Sequence, residues 1–113
     1  MLNNLVHGID HRIYGSTSVN GGQVRRASAP ESEGVSVKGL DFRFDPNSEV
    51  LEPITGTVQF GNTFDDYGNR FLCSESRPLM HAVLPRAALA RNPNLAVATA
   101  LENVAGNPVP IFR

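Results

Sequence analysis

Apolar and polar residues alternate most strictly at Asp41-Phe42-Arg43-Phe44-Asp45, which predicts a strand with one face in a core and the other in water. Val35 and Val37, set among polar partners, lead into it. Pro46-Asn47-Ser48 follows as a turn, because proline presets the backbone at the first central turn position. Glu49-Val50-Leu51-Glu52-Pro53-Ile54 then supplies the returning strand of a hairpin. Upstream, Ile13 and Tyr14 are good strand formers within Gly8 to Ser18, and Asn20-Gly21-Gly22 ends that element in a turn. Gln23 to Gly34 shows neither the helical nor the strand period and reads as an exposed connection.

A second unit follows. Thr57 to Phe60 and Phe64 are apolar or β-branched, Asp65-Asp66-Tyr67-Gly68-Asn69 has turn chemistry, and Arg70 to Ser74 and Leu79 to Leu84 are short strands joined by a loop over Glu75 to Pro78. Only Arg86 to Arg91 has helix-favouring composition, and Asn92-Pro93 stops it too early for it to organise a core. The reading is one domain over 1–102 and an extended or disordered tail over 103–113 rich in glycine and proline. The stretches Gly8 to Tyr14 and Asp65 to Leu72 both run from an acidic turn through an Arg-bearing link into an aromatic strand, with Tyr14 and Phe71 57 positions apart. A repeat of short antiparallel strands suggests propeller blades.

Composition narrows the function classes. Ten basic and eleven acidic residues leave a net charge of -1, which argues against a nucleic-acid groove or an anionic membrane surface. No apolar stretch reaches the length of a membrane span, and the N-terminus lacks the features of a signal peptide. Cys73 stands alone, so neither an intrachain disulfide nor a Cys-x-x-Cys metal or haem motif is available.

Three stretches carry a resemblance: Asn4 to Gly15, Gly39 to Pro46 and Gln59 to Cys73. Together they resemble the membrane-bound dehydrogenase domain common in planctomycete-type proteins, a β-propeller related to the pyrroloquinoline-quinone (PQQ)-dependent glucose and sorbosone dehydrogenases. The resemblance implies an all-β fold of antiparallel propeller strands, here about two blades, with a short loop helix near 86–91. It also implies an exported location and, for full-length relatives, PQQ, calcium and a small sugar or alcohol substrate. In those relatives a general-base histidine takes the proton while hydride passes to the quinone; in this register it falls just before Met1. No turnover is therefore expected from these residues alone.

The remaining candidates divide by context. His7, His11 and His81 read as strand or turn residues, with His11 at a position the relatives fill with Gly or Asn. Where the sugar dehydrogenases place Arg-Asn-Pro ahead of a glycine equivalent to Gly61, this chain has Val58-Gln59-Phe60, which speaks against quinone binding; Arg91-Asn92-Pro93 lies elsewhere and reads as a helix stop. Asp65, Asp66 and Asn69, and likewise Asp10, fit turns better than a calcium cluster. Arg25 and Arg26, followed by Glu31 and Glu33, read as a solvated loop, and Cys73 as a small buried hydrophobe. No catalytic residue and no metal ligand is assigned, and cofactor-binding residues stay open. The competing reading is a noncatalytic β module that binds a glycan or a protein partner. Open strand edges would also allow self-association.

Overall fold

A computed structural model describes residues 2–57, 59–92, 94 and 99–104. The strands are β1 (Asn3–His7), β2 (Ile13–Ser16), β3 (Gln23–Val24), β4 (Val35–Ser36), β5 (Asp41–Phe44), β6 (Leu51–Ile54), β7 (Phe60–Phe64), β8 (Arg70–Cys73), β9 (Met80–Ala82) and β10 (Leu101–Asn103). Among the described residues one helix, α1 (Arg86–Arg91), spans the segment read as helical from composition, and one 3-10 turn covers Glu31–Glu33. Among the described residues the long strands form two four-stranded sheets, β1-β2-β5-β6 and β7-β8-β9-β10, each an antiparallel meander. The chain is thus predominantly β, and neither sheet closes on itself.

The two meanders start in the same register. Asn3, Val6 and His7 face Ser16, Tyr14 and Ile13, and 57 positions on, Phe60, Thr63 and Phe64 face Cys73, Phe71 and Arg70. Each first strand carries a bulge at the same place, where Asn4 (φ 51°) and Gly61 (φ 61°) take the left-handed conformation. The connecting turns match as well. Gly8 N donates to Arg12 O and His11 N to Gly8 O, and at the equivalent positions Asp65 N donates to Asn69 O and Gly68 N to Asp65 O. Continuing across the sheets, the row Tyr14-Arg43-Glu52 in the first corresponds to Phe71-His81-Glu102 in the second.

The repeat breaks after the second strand. Residues 17–40 of the first meander hold the β3–β4 ribbon, whereas 74–79 of the second form a plain loop. Two expectations are corrected here. Gln23 to Gly34 is not featureless, because Gln23 and Val24 pair with Ser36 and Val35. Val35 and Phe42 therefore belong to different sheets, with a turn at 37–40 between them. Their local alternation is real, but which strand each pairs with depends on distant partners. The first strand, Asn3–His7, escapes a periodicity reading because its bulge and polar asparagines disrupt alternation. At the other end, Asn103 closes β10, and the tail from Ala105 onward lies outside the described residues.

The faces follow from register. Tyr14, Asp41, Arg43 and Glu52 lie on the face of the first sheet that meets the second, and Asn62, Phe64, Arg70, Leu72 and Met80 lie on the face of the second that meets the first. Leu72 and Met80 form a small core with Ala82 and Leu101 packed against it. The opposite face of the first sheet carries Ile13, Phe42, Phe44 and Leu51, with Gly15 fitted beneath the Phe42 ring, where a Cβ would collide with it.

Candidate functional site: the joint between the sheets

β8 begins with Arg70 at the position that Ile13 occupies in β2, so the repeat places a cation where its first copy has an aliphatic side chain. That cation points into the joint. Arg70 Nη2 lies 2.8 Å from Asp41 Oδ2, with side-chain exposures of 7% and 0%. Its Nε donates to Asn62 Oδ1 at 2.8 Å and its Nη1 to the Thr55 carbonyl at 2.7 Å. Asp41 Oδ1 in turn accepts from the Thr17 backbone at 3.2 Å. The Arg70 guanidinium also sits 5.7 Å from the centre of the Tyr14 ring, which packs edge-on against Phe64. Burial draws the Arg70 pKa below its ordinary value, and Asp41 opposes that shift.

A second polar cluster forms the outer lip of the same joint. Glu52 Oε2 accepts from Arg43 and Arg12 at 2.8 Å each, and Asp10 Oδ2 accepts from the Tyr14 hydroxyl at 2.9 Å and from Arg43 at 3.2 Å. Tyr14 oxygen also accepts from Arg43 at 3.1 Å. Burial raises the Tyr14 pKa, partly offset by the Arg43 hydrogen bond. Between this lip and the buried pair lies a cleft of about 330 Å³, bordered by Tyr14, Arg43, Glu52, Phe64, Arg70 and Arg86.

The residues singled out from sequence fall elsewhere. His7 ends β1 and His11 occupies a left-handed turn position (φ 61°), while His81 stacks on Phe71 with ring centres 5.0 Å apart. Asp65 is consumed by its own turn, accepting from the Tyr67 and Asn69 backbones and from the Asn69 side chain, and these bonds with Asn69 hold its carboxyl below the usual range. Arg25 bonds the Ala29 carbonyl, whereas Arg26 pairs with Glu49 at 3.1 Å and not with the nearby Glu31 or Glu33. Cys73 is a half-buried free thiol lying against Gly61. Asn92 ends α1, and Pro93 and Val58 lie outside the described residues. Among the described residues no group of three His, Cys, Asp or Glu side chains is placed to hold a metal ion.

Asp41 and Arg70 escape a motif search because 29 positions separate them. The signal that could have found the pair is the repeat itself, which sets Arg70 against Ile13 and Asp41 against Leu79.

Of the three arginines that border the cleft, Arg43 and Arg70 are engaged by Glu52, Asp10, Asp41 and Asn62, and Arg86 stands at its edge. The geometry makes a tie: two sheets locked by a buried ion pair and a lip of hydrogen-bonded charges. No curated protein and no solved structure matches the chain. A family profile described as a domain of unknown function, DUF7133, matches residues 1–112, and the chain belongs to that family.

Proposed function

We propose that the chain is a pair of β-propeller blades of the dehydrogenase-like class, a scaffolding portion that performs no turnover by itself. The observation that carries this reading is the in-register repeat of two four-stranded meanders joined face to face, the arrangement from which propellers are built. The chemistry of the joint agrees with it. Arg12, Arg43 and Arg70 are satisfied by Glu52, Asp10 and Asp41, so these groups are committed to holding the blades together. Reconstitution with PQQ and calcium, followed by a sugar-oxidation assay with an artificial electron acceptor, tests the reading. The expected result is no reduction of the acceptor above a protein-free control, and measurable turnover would refute it.

A noncatalytic interaction module is the second reading, and one observation favours it. A groove of about 720 Å³ runs between the outward face of the first sheet, with Leu2, Leu5, Phe42, Phe44 and Leu51, and a wall that carries Arg25, Arg26 and Glu33. An apolar floor with a charged rim suits a protein surface.

A further inference from the structure

The joint inside the chain has a direction: one type of face on the first sheet meets the other type on the second. Among the described residues the repeat therefore leaves two faces of complementary type on which no other four-stranded sheet is stacked. The groove face of the first sheet, with Ile13, Phe42 and Phe44, is the counterpart of the second sheet's joint face, with Arg70, Met80 and Ala82. The outward face of the second sheet, with Phe71, His81 and Glu102, is the counterpart of the first sheet's joint face, with Tyr14, Arg43 and Glu52.

The side chains on these open faces differ from the joint in a coordinated way. Where the joint sets Asp41 against Arg70, the equivalent positions of the open faces hold Leu79 and Ile13. A charge on one face is matched by a charge on the other in the joint, and both are aliphatic on the open pair. Stacking these faces would bury Leu79 against Ile13 at the place where the joint buries an ion pair, so that position desolvates no charge. Large apolar side chains stand exposed on both: Leu2 and Leu5 (61%) on the groove face, and Phe60, Leu79 (39%) and Val104 along the other. The β3–β4 segment packs toward β6 and walls one side of the groove, while β1, the strand that packs against β7 in the existing joint, lines it through the exposed Leu5.

From this match we infer that the chain binds a second copy of itself head to tail, the outward face of one copy's second sheet seating on the groove face of the next. The inference goes beyond the scaffold reading, because it stands on the repeat geometry and is indifferent to redox chemistry. Such a contact is heterologous, so it closes into a ring or continues as a filament.

Two exposed positions make a directional test. Leu79→Asp spoils the outward face and leaves the groove intact, and Leu5→Glu does the reverse. By sedimentation velocity over a range of concentrations, the unaltered chain is expected to rise above its 12.2 kDa protomer mass, while each variant alone stays at that mass. An equal mixture of the two variants is expected to give a species of twice the protomer mass and nothing larger, because only one productive contact remains. Far-ultraviolet circular dichroism of each variant establishes that it is folded. A single-protomer mass for the unaltered chain at every concentration overturns the proposal. So does self-association of Leu79→Asp alone, which would mean a symmetric contact through the groove, and so does a mixture that stays at the protomer mass.

Discussion

The Arg70 guanidinium and the Asp41 carboxylate meet at 2.8 Å across the joint between two sheets, both shut off from solvent. Removing one partner of such a pair strands the other in a medium of low polarity, which costs about 3 to 5 kcal/mol. Asp41→Ala and Arg70→Met are each expected to destabilise by that amount in urea unfolding. The double variant Asp41→Leu with Arg70→Ile copies the open-face pair and is expected to lose much less than the sum of its two single changes. A double-mutant cycle showing simple additivity would contradict the pairing.

Gly56 sits where no other residue fits. Its φ of +144° disfavours any side chain, and a Cβ there would run into the Asp41 carboxylate and the Arg70 guanidinium. Gly39 also has a positive φ, of +66°, but faces open space. Gly39→Ala should cost only backbone strain, about 1 to 2 kcal/mol. Gly56→Ala should cost more than that, with a correspondingly lower melting temperature.

Tyr14 links the buried pair to the outer lip. Its raised pKa means that the unfolded chain ionises first as pH climbs, so its contribution to stability is complete below the ordinary value of 10.0 and is lost as pH rises through the higher folded value. Tyr14→Phe, the residue the repeat carries at Phe71, should flatten the alkaline limb of a stability profile measured by urea unfolding. At neutral pH the change should cost about 1 kcal/mol through the lost hydroxyl bonds.

Asp65, like Asp45, contributes on the acid side. Its lowered pKa gives a contribution that is present above the ordinary carboxylate value of 3.8 and lost as pH falls through the folded value. Asp65→Asn keeps an acceptor for the turn but cannot titrate. Its stability should therefore depend less steeply on pH below 4 than that of the unaltered chain.

Strand alternation at Asp41–Phe44, turn chemistry at Pro46 and Asp65, and the helix at Arg86–Arg91 were all legible locally, because each depends on neighbours in sequence. The spacing from Tyr14 to Phe71 also proved to mark equivalent places in two sheets. What stayed hidden was non-local. Asp41 reads as the polar side of an amphipathic strand, and only the arrival of the second sheet turns that wet face into a buried one. Ser16 was equally opaque, a hydroxyl fully buried with no hydrogen-bond partner among the described residues.

The ribbon inserted between β2 and β5 makes two similar meanders unequal in time. Pairing β2 with β5 must first close the span 17–40, while pairing β8 with β9 closes only 74–79. A loop about four times longer costs about 1.2 kcal/mol more in closure entropy. The β7-β8-β9 part of the C-terminal meander can therefore zip up from local contacts and offer Arg70 as a docking point before β10 closes the span 83–100, and the pairing of β2 with β5 condenses around it when Asp41 arrives.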